Sequence, residues 1–401
     1  MNTALTPDNG KRNALRLASL QALGSGNNAI VFALGGLAGQ RLASSPDLAT
    51  LPISLYSLGL ALGTIPAAVL LKRLGRRFGY TTGALIGLIG AAISVMGLVQ
   101  ASFMLFCLGV TLTGLYSAYI QNYRFAAADS ATADFRPRAI AWVMAGGLFG
   151  AIIGPQTVIQ TREIWTSTPY ASSFLAQGAL ALLTLPLIFS LRPPPARSTG
   201  HSSTDHGRPL WLIARSPAFF VAAIAGVVSF SLMNFIMTAS PLAMVHHGHS
   251  VEDATLGIQW HVLAMFAPSF FTGSLIQRFG RIPVTITGLL LIGVAGALAL
   301  SGQSLTHFWA ALIALGLGWN FGFIGATALV AESYRPEEKN RVQGLNDFLV
   351  FGCVAISSFS SGRVLALHGW ATLNELIYTP IAVSILLLLW LWRRDTRSVM
   401  A

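Results

Sequence analysis

KRLGRR at residues 72–77 and QRFGRI at residues 277–282 are one motif written twice, a basic turn around a glycine, Gly75 in the first copy and Gly280 in the second. Arg73 and Arg278 are 205 residues apart, and two other landmarks keep nearly that distance: Asp129 matches Glu332 and Arg138 matches Arg341, each at an offset of 203. In a chain of 401 residues such an offset means two related halves.

The composition places those halves in a bilayer. Hydrophobic residues make up 54% of the chain and charged residues 10%, with a mean hydropathy of +0.64, whereas soluble domains carry about 25% charged residues. Twelve stretches approach the roughly 20 apolar residues that cross a hydrocarbon core: 15–38, 48–71, 79–100, 102–126, 138–160, 169–191, 217–243, 252–276, 282–302, 306–331, 342–366 and 373–392. The expected fold is an all-α membrane protein of twelve transmembrane helices in two pseudo-symmetric six-helix halves, residues 1–191 and 217–401. The polar stretch 192–216 joins them as a cytoplasmic linker. Its two histidines, His201 and His206, read as solvated.

The formal charge of +11 reports topology and not a nucleic-acid patch. Of the 25 Lys and Arg residues, 21 fall in loops on one side, Arg41, Arg162 and Arg363 lie on the other, and Arg124 sits near the inner end of span four. The positive-inside rule then puts both termini in the cytoplasm of a cell whose cytoplasmic membrane holds the protein. Cys107 and Cys353 lie in apolar stretches, which leaves no disulfide framework or zinc ribbon. The first span is too long, and too basic at its start, for a cleaved signal peptide.

Polar groups inside spans are functional candidates because lipid makes them costly. Asp347 lies about two turns into span eleven, so no midplane carboxylate offers itself for proton coupling. Asn27, Asn28 and Asn320 are candidates to line a polar cavity between the halves. Spans seven and eight carry a more specific pattern. FSLMNFIMTA holds Met233 and Met237, and IQWHVLAMFA holds His261 and Met265, each pair four residues apart and so on one helix face. Counted along the two helices, the pairs lie at similar depth. Three thioethers and one imidazole make a soft, neutral donor set that suits Cu(I). Met244, His246, His247 and His249, just beyond span seven, are placed to collect a metal at the entrance. The competing reading is packing, since methionine fills irregular gaps between helices.

The repeated motif and its acidic partners resemble the major facilitator superfamily, and the resemblance covers the whole chain. The family's Asp in that loop is replaced here by Lys72 and Gln277, which weakens the usual inner-gate ion pair. Arg76 and Arg281 can still pair with Asp129 and Glu332 at the cytoplasmic ends. Gly150, Gly154 and Pro155 in span five resemble the glycine-proline motif of superfamily antiporters, although small residues also serve close helix packing. The MxxxM and HxxxM pairs resemble the CcoA-like copper importers, and match that motif at Met233, Met237, His261 and Met265. That resemblance implies import of copper, as Cu(I) substrate and not as a cofactor, by alternating access in a monomer, supplying cytochrome oxidase assembly. The same extended group includes riboflavin importers, so a flat organic cargo stays open, with Trp142, Trp260, Trp319, Tyr119 and Tyr123 available to stack on it. Multidrug efflux is a third reading. Catalysis is not supported: no nucleophile and base are recognisably paired, and no phosphate-binding P-loop occurs.

Overall fold

The computed structural model describes residues 7–132, 135–191 and 207–400. Most of the linker, with His201 and His206, lies outside the described residues. Among the described residues all regular structure is helical. The first half contains α1 (Pro7–Leu42), α2 (Leu51–Arg73), α3 (Gly75–Val99), α4 (Phe103–Ile120), α5 (Tyr123–Ser130), α6 (Arg136–Thr161) and α7 (Ala171–Ser190). After a short α8 (Leu210–Ala214) come α9 (Pro217–His246), α10 (Val251–Phe266), α11 (Ser269–Phe279), α12 (Arg281–Ser301), α13 (Leu305–Glu332), α14 (Lys339–Glu375) and α15 (Tyr378–Met400).

Nine helical stretches among the described residues are long and apolar enough to cross a membrane. Three local effects reconcile them with the twelve spans. The stretch Arg341–Arg394 holds two spans, and Gly369 stands between them in a left-handed conformation (φ +80°). Span eight is divided into α10 and α11, with Ala267 and Pro268 between them; proline offers no amide to continue the hydrogen-bond ladder. The first span, α1, carries Gln21, Ser25, Asn27 and Asn28 among its apolar residues, which lowers its hydropathy. Two second-half helices begin at side-chain caps: Ser216 Oγ accepts the Phe219 amide at α9, and Ser250 with Asp253 forms a complete capping box on α10.

The repeated motif folds alike in both halves. Gly75 (φ +82°) and Gly280 (φ +90°) make the left-handed turn that lets α3 and α12 start where α2 and α11 end. Arg76 then bonds Asp129 at 2.5 Å, and Arg281 pairs with Glu332. Each pair stays within its own half and fastens the motif to the end of span four or ten. These are the two pairs expected from the sequence at the cytoplasmic ends.

At the opposite end the halves meet. Thr50 Oγ1 donates to the Ser358 carbonyl at 3.2 Å, Gln156 Nε2 donates to Gln259 Oε1 at 3.0 Å, and Arg162 reaches Glu252 at 3.5 Å. Leu242 of α9 belongs to the apolar core formed by Ile30, Leu34, Ala49 and Tyr56, so the two cores merge there. The structure is therefore closed at the end remote from Arg76 and Arg281.

One contact secures the start of α14. Arg208 grips Glu338 with two parallel bonds, Nε to Oε1 at 2.9 Å and Nη2 to Oε2 at 2.7 Å, and the amides of Arg208 and Arg335 donate to the same carboxylate. The Arg208 guanidinium first, and the Arg335 amide next, hold the Glu338 carboxyl well below the usual glutamate range. A depressed folded-state value adds stability at every pH above the ordinary range and loses it only as pH falls below. Glu338→Gln should lower the melting midpoint of detergent-purified protein at neutral pH, with the gap to the native chain narrowing in acid. Equal midpoints at neutral pH would refute this.

Candidate functional site

Along α1 a stripe of partly exposed residues, Gln21, Ser25, Asn28 and Phe32, recurs at helical spacing and so shares one face. Gln21 Nε2 donates to Ser25 Oγ at 2.9 Å, and Ser117 Oγ of α4 donates to Asn28 Oδ1 at 2.6 Å. Phe32 packs against core residues of both halves and meets Tyr56 edge-on at 5.3 Å.

The second half contributes an aromatic cluster. Phe230 of α9 lies edge-on to Trp319 at 5.4 Å, to Phe323 at 5.0 Å and to Phe351 of α14 at 5.9 Å. Trp319 and Phe323 are stacked at 5.4 Å with 17° between planes. Phe266 touches Trp319 at 6.2 Å and lies opposite Gly147 of α6, which carries the cluster to the boundary between halves. Trp319 is buried, and its Nε1–H has no hydrogen-bond partner among the described residues. A buried donor without an acceptor is costly unless something else supplies one.

Nearer the open end stand Arg124 of α5 and Asp347 of α14. They come from different halves, both are exposed, and they lie within Coulombic range of each other. Counted at 1.5 Å per residue from the helix ends, both charges lie about 9–12 Å inside the spans, and the aromatic cluster about 14–20 Å. Charges at such depth avoid lipid, so their exposure marks a gap between the halves that reaches them. The groove lined by Val228, Leu232, Cys353 and Ile356 carries no charged side chain and suits lipid better than a polar substrate.

The residues singled out from sequence separate into several environments. Asn27 is buried and exchanges bonds with Gln177 of α7, at 3.0 Å to the Gln177 carbonyl and 3.2 Å between side chains, which ties two helices together. Asn320 is also buried, bonding the Met265 carbonyl at 2.6 Å and Ser269 at 2.7 Å. Neither lines a cavity; Asn28 stands on the polar stripe. Tyr119 and Tyr123 sit in the first-half core, Tyr123 edge-on to Tyr80 at 4.9 Å, and are not free to stack on a ligand. Trp142 and Trp260 are 40% and 41% exposed and stand apart from the aromatic cluster that holds Trp319. Arg73 and Arg138 are exposed at the motif end, where Arg341 makes further contacts.

Met233, Met237, His261 and Met265 are all buried in second-half packing, the three methionines as members of its apolar core. His261 Nδ1 donates to the Leu312 carbonyl at 2.8 Å and so fastens α10 to α13, while Nε2 has no partner among the described residues. Of the residues proposed for the entrance, Met244 is buried, His246 and His247 meet edge-on at 5.5 Å, and His247 and His249 pack on Phe308, with His249 also bonding the Gln303 carbonyl at 2.8 Å. Burial, then the neighbouring His246 and His249, push the His247 imidazole below its ordinary range. Among the described residues no three His, Cys, Asp or Glu side chains are placed to hold a metal ion.

Two six-helix halves with repeated ion-paired turns, closed at one end around a polar and aromatic interface, define a secondary transporter. The Major Facilitator Superfamily pattern matches residues 17–268 and 222–400, and the chain belongs to that superfamily. The riboflavin transporter RfnT of Brucella anthropi is 53% identical over 373 residues, covering 93% of this chain and 94% of the relative. The uncharacterised transporter YdeG of Bacillus subtilis is 32% identical, covering 93% of this chain and 91% of its own. Among solved structures, the nucleoside transporter NupG superposes with a TM-score of 0.73 at 15% identity, covering 94% of this chain and 99% of that one. A bacterial homologue of the lysosomal transporter Spinster, inward-facing and unoccupied, gives 0.69 at 15%, covering 96% and 95%. The relative at 53% identity carries riboflavin, and this overturns the copper reading drawn from the methionine and histidine pairs. Their shared helix faces are those that pack α9, α10 and α13 together. Periodicity of that kind marks a packing face as readily as a ligand face.

Proposed function

We propose that this protein imports riboflavin across the cytoplasmic membrane by alternating access, with both termini in the cytoplasm. The observation that carries the reading is the 53% identity to a riboflavin transporter along nearly the full length of both chains. The site chemistry agrees with it: a flat, amphipathic tricycle suits Phe230, Phe323 and Phe351 backed by Trp319, and its polar tail suits the α1 stripe of Gln21, Ser25 and Asn28. With the basic loops inside, the closed end is external and this structure is the inward-open state. Riboflavin is uncharged, so the membrane potential does no work on it alone, and net import follows its consumption in the cell.

The test uses a riboflavin auxotroph that lacks an importer of its own. Expression of the chain should restore growth at limiting riboflavin and raise accumulation of labelled vitamin well above the empty-vector level. No accumulation from protein confirmed in the membrane would reject the assignment.

A further inference from the structure

Arg124 and Asp347 are the two charges set deepest in the gap, and neither the motif turns nor the closed end uses them. Asp347 precedes Phe351 by four residues on α14, so carboxylate and ring occupy one helix face about one turn apart. The Asp347 carboxylate is exposed and has lone pairs to offer a donor. Arg124, from the other half, lies within Coulombic range of it, its guanidinium 4.9 Å from the Phe125 ring. A carboxylate that only accepts and a guanidinium that only donates thus lie within Coulombic range of each other, one from each half, with the carboxylate one turn from the aromatic cluster.

The isoalloxazine ring of riboflavin has an apolar dimethylbenzene end and, across three fused rings, an imide edge in which one N–H lies between two carbonyls. We infer that Asp347 and Arg124 read this imide edge, Asp347 accepting the ring N3–H and Arg124 donating to an adjacent carbonyl, while Phe230, Phe323 and Phe351, backed by buried Trp319, take the apolar end. The pairing places one charged partner from each half on the same cargo. Loading therefore draws the halves together at the open end, and the unloaded mouth stays apart. Hydrogen bonds to charged groups contribute about tenfold or more in affinity, and a site built around a ring N–H rejects the analogue that lacks it.

This inference rests on riboflavin being the cargo, and the experiment separates the two claims. Uptake of riboflavin and of 3-methylriboflavin, in which the N3–H is replaced by a methyl group, is measured in the same auxotroph for the native chain and for Asp347→Asn. The native chain should prefer riboflavin by about tenfold or more, and Asp347→Asn should reduce that preference severalfold because an amide accepts the N–H more weakly than a carboxylate. The readout is a ratio on one protein, so a lower amount of folded variant cancels; if Asp347→Asn does not reach the membrane, Asp347→Ser is read in its place. A native chain that carries both compounds equally, or a variant that keeps the full preference while transport slows, overturns the imide contact and leaves riboflavin import standing. The second result is what a pair that only closes the mouth would give. A native chain that carries neither compound overturns the import reading and this inference with it.

Discussion

Cross-linking the closed end is expected to abolish transport. Thr50 and Gly362 face each other there from different halves: a Cβ built on Gly362 would lie 2.8 Å from Thr50 Cβ and 2.0 Å from its Oγ1. A disulfide needs Cβ atoms about 3.5–4.5 Å apart, so Thr50→Cys with Gly362→Cys requires the helices to ease by only about 1 Å. The neighbouring bond from Thr50 to the Ser358 carbonyl holds this register. Alternating access requires that end to open in every cycle, and a covalent bridge forbids it. In a background with Cys107→Ser and Cys353→Ser, oxidation should bring riboflavin uptake to background and reductant should restore it. Uptake that persists after mass spectrometry confirms complete bridging would show that the halves do not part there.

Much of this architecture is legible in the chain because it follows from local rules. Span length and the repeat of Arg73 and Gly75 at Arg278 and Gly280 need no tertiary information, and both glycines fold to the same left-handed turn. The site is less legible because one residue of register decides which face a side chain occupies. Asn27 and Asn28 are adjacent, yet the rotation of about 100° between them puts Asn27 against Gln177 and Asn28 on the open stripe. Trp319 stands out in the sequence, but its companions Phe230 and Phe351 come from spans seven and eleven, and only the packed bundle joins them. Arg124 and Asp347 read as isolated charges until the structure brings them, from different halves, within Coulombic range. The methionine and histidine pairs failed for the opposite reason. Their spacing is a true helix face, and that face is turned into the core.

Gly146 and Gly147 should respond in opposite ways to the same substitution. Gly146, Gly150 and Gly154 recur every four residues on the α6 face that packs against α1, where added Cβ atoms would lie 2.2 Å from the Ala18 carbonyl oxygen, 2.4 Å from Ser25 Cβ and 2.4 Å from the Gly26 carbonyl oxygen. Backbone cannot give way as a flexible side chain can, so the helices must separate. Overpacking of this kind costs about 1–3 kcal/mol or more, against a gain of about 1 kcal/mol from replacing a helical glycine by alanine. The clash outweighs the gain at Gly146. At Gly147 the nearest atom to an added Cβ is a Phe266 ring carbon at 3.7 Å, an ordinary contact, and the helix gain remains. Gly146→Ala should therefore reduce the yield of monodisperse protein and lower its melting midpoint, whereas Gly147→Ala should match or exceed the native midpoint. Transport should fall with Gly146→Ala beyond the loss of protein, because the displaced helix α1 carries Gln21, Ser25 and Asn28. Indistinguishable midpoints for the two variants would mean that α1 and α6 do not pack through these glycines, and the glycine-proline motif would need a conformational explanation in place of a steric one.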